Sequence, residues 1–458
     1  MKFIKINYIV IFSWMALFIQ CEDFIEVDPP KNSLDQTYMF ENIQTARAAV
    51  TSLYEMLRDN SPVSGNYSSN GFLLGIYADE LDYYLLSNTN VNSIYTHQVL
   101  ASNESVKNSW ISAYKLIYAC NVIIEGLDQT THLLQEDSNQ LKGEVLFIRA
   151  MVHFYLTNFY GDMPYVTRTD YRVNSHLYRT SHQEVIERLT ADLEVSRNLL
   201  GKKKVTENIQ VNSWTVDAFL ARVYLYEKKW GKAVDYASSV INSGIYQLED
   251  DLTKEFLKES TSTLFQFKPK LVGDNSNEGA IYIFEAGPPP TMALRADFVN
   301  SFETEDLRKL NWIKSVSNAT TKWYMPYKYK EKYFSTTSKE YTIVMRLAEQ
   351  YLIRAEASLY LGHIEQAKQD VNKIRSKAGL IAVTSSSPIE LLNVVIEERK
   401  HELFTEHGHR WFDLKRWDLA EEVLKTLKPN WKSTDVLFPI PESEILLNPN
   451  LNPQNSGY

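Results

Sequence analysis

Two stretches of this chain, 134 positions apart, carry small residues at the same spacing. In "WTVDAFLARVYLYEKKWGKAVDYASSVI" Ala221 is followed by Ala233, and in "RLAEQYLIRAEASLYLGHIEQAKQDVNKIRSKAGL" Ala355 is followed by Ala367, a step of twelve in both. Leu225 and Tyr226 fall opposite Leu359 and Tyr360 without a gap. Within each stretch the apolar and small residues recur at three- and four-residue steps on either side of a short polar break. That is the pattern of two amphipathic helices joined by a turn. A methyl side chain at the crossing lets the partner helix pack close, so the repeat calls for helical hairpins that stack.

The alanine step is that between helices A and B of a tetratricopeptide repeat. A looser third candidate is "LKGEVLFIRAMVHFYLTNFYGDMPYV", a helix with Ala150 and Phe154 inside and Gly161 and Pro164 as stop signals. The expected fold is mostly α, with hairpin scaffold at about residues 141–165, 211–245 and 345–380. The material between has another character. Residues 261–341 hold Trp312, Trp323, Tyr324, Tyr327, Tyr329 and Tyr333 among Gly, Asn and three consecutive prolines, which no single helix accommodates. Residues 82–109 are polar, Asn-rich and studded with Tyr. Long irregular segments are costly to order, so these two are where a ligand is expected.

At 458 residues and 44% hydrophobic content, the chain can bury a large core. Its net charge is −9 and its longest basic run is Lys202-Lys203-Lys204, which excludes a nucleic-acid partner. The stretch "HELFTEHGHRWFDLKRW" looks at first like a metal site. A zincin needs His-Glu-x-x-His, and here the fifth position is Thr405. Glu398, Glu402, Glu406 and Arg410 instead run at steps of four, which reads as a charged helical stripe with Leu403 and Phe404 inward. No G-x-S-x-G, phosphate loop, dinucleotide fingerprint or C-x-x-C is present. A surface glycosidase or metallohydrolase is carried only by the abundant acids and this histidine cluster.

At the start, Lys2 and Lys5 precede an apolar run from Ile6 to Ile19. It is shorter than the roughly 20 residues of a membrane span, so residues 1–20 read as a signal peptide. The run ends in "FIQC", which resembles a lipobox with Cys21 as the acylated residue. Phe18 and Gln20 depart from that pattern, which keeps a plain secretory signal as the alternative. Glu22 and Asp23 resemble the acidic pair that sends lipoproteins of Bacteroidetes to the cell surface. With Cys21 acylated, Cys120 has no partner for an intramolecular disulfide.

Taken in order, several stretches resemble the SusD/RagB lipoproteins of Bacteroidetes. They are "DFIEVDPP" after Cys21, the Trp110, Tyr114, Ile117 and Asn121 helix, "LFIRAMVHFYLTNFYGDMPYV", "VNSFETEDLRK", "RLAEQYLIRAEASLYLG", and the C-terminal pair "EERKHELFTEHGHRWFDLKRW" and "FPIPESEILLNPNLNPQNSGY" within residues 395–458. The resemblance implies one domain over residues 21–458, a tetratricopeptide-like scaffold and an irregular ligand face. It implies an acylated, non-enzymatic protein on the outer face of the outer membrane, without cofactor or metal. Its implied task is to bind oligo- or polysaccharide, or in some members oligopeptide, and deliver it to a SusC-like TonB-dependent transporter. Sugar rings stack their C–H faces on aromatic rings while amides and charged groups take the hydroxyls. The candidate ligand contacts are therefore Tyr83, Tyr84, Asn92 and Tyr95 from the first irregular segment and Trp312, Trp323 and Tyr324 from the second.

Overall fold

The computed structural model describes residues 36–203 and 205–458. The signal segment 1–20, Cys21 and "DFIEVDPP" lie outside the described residues. The helices of the described residues include, in chain order, α1 Ile43–Asn60, α2 Asn70–Tyr77, α3 Thr89–Tyr95, α4 Glu104–Gln129, α5 Gln135–Tyr160, α6 His182–Leu200, α7 Ser213–Tyr226, α8 Trp230–Ile241, α9 Leu347–Tyr360, α10 Ile364–Lys377, α11 Pro388–Glu402 and α12 His409–Arg416. Local chemistry sets several of their starts. Asn42 accepts from the Thr45 N–H, Asn212 and Thr215 form a reciprocal capping box, and Ser387 caps a helix whose first residue is Pro388.

The fold is mostly α-helical, and the two repeated stretches form the packed pairs α7–α8 and α9–α10. Ala221, Ala233, Ala355 and Ala367 are all buried. The pairs also pack on each other through α8 and α9, where Trp230 stacks on Tyr360 with centroids 4.1 Å apart and planes 7° from parallel. Arg222 of α7 donates to both carboxylate oxygens of Glu349 in α9 at 2.7 and 2.6 Å, a fully buried fork that fixes the stacking register. The third candidate, α5, is buried on every side from Gly143 to Tyr160, as a helix at the centre of a bundle must be. It stops at Gly161, whose φ of 71° is open to glycine without strain.

Six strands lie among the described residues: β1 Leu81–Tyr83, β2 Thr263–Phe267, β3 Met292–Leu294, β4 Ile313–Ser317, β5 Lys322–Pro326 and β6 Thr342–Arg346. Strands β2 and β6 pair by themselves, and the rest form an antiparallel sheet in the order β1-β3-β5-β4. The irregular segment 261–341 is thus short strands and helices. Of segment 82–109, Glu104 to Ser109 already belongs to α4. Much of its asparagine content is spent on helix ends: Asn88 caps α3, Asn103 caps α4, and Asn90 accepts the Glu104 N–H.

The expected stripe of Glu398, Glu402, Glu406 and Arg410 is corrected. Helix α11 ends at Glu402, and Thr405, His407 and Gly408 all take positive φ, so the four-residue step no longer places neighbours on one face. All four charges are buried. Arg346 donates to Glu406 at 2.8 and 2.9 Å and to Glu402 at 2.6 Å, while Arg308 reaches Glu402 at 3.1 Å and Glu398 at 2.9 Å. Lys328 donates to the Glu402 and Phe404 carbonyls at 2.8 and 2.9 Å, and Arg410 forks onto Asp79 at 2.7 Å. Burial opposes ionisation of Glu402, but Lys377, Arg346 and Arg308 together hold it well below the usual carboxylate range.

The three histidines are part of this packing. The Nε2 of His401 lies 2.9 Å from the Ser301 hydroxyl, that of His407 lies 2.8 Å from the Ile343 carbonyl, and His409 is buried beside Glu349. Burial pushes all three imidazoles below their ordinary value.

Candidate ligand-binding face

The two irregular segments meet in one sheet. Leu81, Asp82 and Tyr83 of β1 pair with Leu294, Ala293 and Met292 of β3, and the Tyr84 N–H continues the ladder to the Thr291 carbonyl at 2.8 Å. Leu294 then pairs with Tyr324 of β5, and β5 with β4 through Trp323 and Val316. Successive side chains on a strand point to opposite faces, so each aromatic doublet is split. Tyr83 turns into the main core at 5% exposure, its ring 6.2 Å from both Phe72 and Tyr95, whereas Tyr84 turns outward at 37%. Tyr324 packs half-buried against the same core. Trp323 takes the other face, with Ala293, Met325 and Phe284, and lies on Gly287, where any Cβ would strike the indole at 2.1 Å.

Tyr84 and Trp323 are therefore the members of the two doublets that leave the main core, Tyr84 exposed and Trp323 half-buried against the smaller cluster, with the indole N–H of Trp323 reaching the Tyr84 hydroxyl. Burial and Asp82 push the Tyr84 phenol up, while the Trp323 indole N–H beside it pulls the other way. Asp82 shares their face and anchors a polar cluster. It accepts from the Tyr95 hydroxyl at 3.0 Å and from Arg295 at 2.9 Å, and Arg295 also forks onto Asp297 at 3.1 and 2.9 Å. Burial, with Asp82 alongside, raises the Tyr95 phenol to about 12. Beneath Tyr95 the Lys428 ammonium sits 3.8 Å from the ring centroid, and burial lowers its pKa to about 7. Asn92 of α3 is half-buried with its Oδ1 unpartnered.

Two candidates are corrected. Trp312 is fully buried and donates its indole N–H to the Leu252 carbonyl at 3.0 Å. Lys328, Lys377 and Arg346 ring it at 5.2, 5.6 and 5.8 Å and Phe256 meets it edge-on, so the faces a sugar would use are taken by buried cations. Tyr83 is core, because the pleat that exposes Tyr84 buries its neighbour. Asp82, Arg295 and Lys428 are not among the sequence candidates. Asp82 adjoins the aromatic doublet and was within reach of pattern reading; Arg295 and Lys428 carry no local signal.

Two adjoining family models cover most of the chain: residues 23–225 match the family described as starch-binding associating with outer membrane, and residues 219–435 match the SusD family. This chain belongs to the SusD/RagB family. Among its SusD/RagB relatives, SusD-like protein P2 of Formosa agariphila is 26% identical over 526 aligned positions, which span the whole of both chains. A SusD superfamily protein of Bacteroides vulgatus superposes with a TM-score of 0.81 at 22% identity, over 92% of this chain and 100% of that one. Surface glycan-binding protein A from Bacteroides thetaiotaomicron superposes with a TM-score of 0.76 at 20% identity, over 90% and 98%. These superpositions are of fold. No described helix is long and apolar enough to cross a membrane.

Proposed function

We propose that this SusD/RagB protein binds glycan on the outward face of the β1-β3-β5-β4 sheet, at the cell surface, and passes it to a SusC-like TonB-dependent transporter. The observation that carries the reading is the convergence of two distant segments into one sheet that presents Tyr84 and Trp323 beside the Asp82–Arg295 pair. An aromatic platform with adjacent hydrogen-bonding groups suits the apolar face and the hydroxyl rim of a pyranose. The half-buried Tyr95 and Asn92 border that platform through Asp82 and α3, and Tyr324 braces it from below. Acylation at Cys21 would tether the chain, with the sheet free to close over its partner.

The role is capture without cleavage. Asp82 and Asp297 are both engaged by Arg295, an arrangement that positions hydroxyl acceptors and leaves neither carboxylate free to stand across a glycosidic bond. Affinity electrophoresis of protein lacking residues 1–21 against plant, algal and microbial polysaccharides tests the reading. Retardation by one polymer is expected, and it is lost in Trp323→Ala and Tyr84→Ala. Retardation that survives both substitutions moves the site elsewhere. No retardation by any polymer, with heat released on titration of an oligopeptide mixture, replaces glycan by peptide cargo.

A further inference from the structure

A pocket of about 450 Å³ opens between the end of α1, the loop leading into α2, the first half of α4 and the last turns of α5, and it shares no lining residue with the sheet face. That volume falls within the roughly 300–1,000 Å³ of small-molecule sites. Met56, Leu156 and Phe159 give it an apolar floor. Its rim carries Asn60 and Asn108, both exposed. Asn70 also lines it, at only 3% exposure, and its side-chain nitrogen is buried with no hydrogen-bond partner. A buried amide N–H₂ without an acceptor is costly and calls for one from outside the chain.

Charge narrows the ligand. Lys115 is the single charged residue in the lining, is exposed, and has no carboxylate beside it there. In a chain of net charge −9 a pocket whose charge is one cation favours an anion. The three asparagine amides can each donate and accept, which matches neighbouring hydroxyls. We propose that this pocket binds a small hydroxylated carboxylate of the uronic-acid class. Lys115 takes the carboxylate, Asn70 and Asn108 take ring hydroxyls, and the ring's apolar face lies against the half-buried Met56.

Titration calorimetry of protein lacking residues 1–21 tests this with two probes, galacturonate and galactose. Galacturonate is expected to bind, and galactose about tenfold more weakly or not at all, because a charge-assisted contact is missing. Lys115→Ala, on the exposed side of α4, lowers galacturonate affinity about tenfold, and Ser112→Phe, which fills the pocket, abolishes it. Circular dichroism controls for folding, and Tyr84→Ala and Trp323→Ala retain the binding whether or not the sheet binds polysaccharide. Three results overturn the proposal: affinity unchanged by both pocket substitutions, affinity lost in the sheet variants instead, or no heat with either sugar. The last leaves a pocket that holds water.

Discussion

Just ahead of β1, Glu80 is buried and takes the Thr405 backbone N–H on both carboxylate oxygens at 3.2 and 3.3 Å. Burial, with Asp79 alongside, raises its pKa from 4.5 to about 8. A raised folded-state pKa means that the folded chain binds the proton more tightly. That stability is full below 4.5 and is lost as pH climbs through 8, at up to about 1.4 kcal/mol per pH unit. Glu80→Gln keeps the neutral shape, so urea midpoints measured from pH 5 to 8 should fall less steeply in the variant than in the parent. A variant as pH-sensitive as its parent refutes the assignment. Glu278, also raised to about 8 by burial, adds the same sign, while Lys428, lowered to about 7, gains stability as pH rises above 7. The two tryptophans of the second irregular segment separate just as cleanly. Trp312→Ala should cost about 3–5 kcal/mol in chemical denaturation and leave polysaccharide retardation intact, whereas Trp323→Ala, which removes a ring only half-buried, should cost less and abolish retardation. The residues around them look alike in sequence; what divides them is Lys328, Lys377 and Arg346, delivered to Trp312 by the fold.

At the scale of elements, the paired helices α7–α8 and α9–α10 rest on buried alanines. Ala355→Leu should destabilise by about 1–3 kcal/mol through overpacking, read from the denaturant midpoint, with retardation by polysaccharide unchanged while the protein is folded. A neutral Ala355→Leu would mean that the hairpins do not close on that methyl. These helices were legible because their signal is local: the alanine step acts within a few residues of the structure it sets, as Gly161 does at the end of α5. The sheet was not legible, since nothing in "ELDYYLL" or "TMALRAD" indicates that Asp82 lies opposite Ala293. The aromatic and polar composition of both segments marked where to look, and the pleat then decided which ring of each doublet faces outward. The charged stripe was misread for a related reason. A four-residue step holds only while the helix lasts, and α11 ends at Glu402.

At the scale of the whole molecule, the C-terminus works as a clasp. Asn455 donates to the Tyr160 and Phe438 carbonyls at 2.8 and 2.7 Å and accepts from Arg179 at 2.6 Å, Gln454 pairs with the Ile440 backbone, and the Tyr458 hydroxyl donates to the Leu437 carbonyl at 3.0 Å. Ending the chain after Pro453 leaves several buried backbone groups unpaired, each worth about 1–3 kcal/mol, so a clear loss of thermal midpoint is expected by calorimetry. An unchanged midpoint would show that the tail is ornament. The pairing of β1 with β3 has a different consequence, in time. Bringing Asp82 to Ala293 closes a loop of roughly 210 residues, an entropic cost of about 5 kcal/mol against about 2 for the dozen residues between Ala221 and Ala233. Helical hairpins should therefore assemble early on refolding and the sheet late. Far-ultraviolet ellipticity should recover before polysaccharide retention does. For that interval the chain is a nearly complete helical body that has yet to become a receptor.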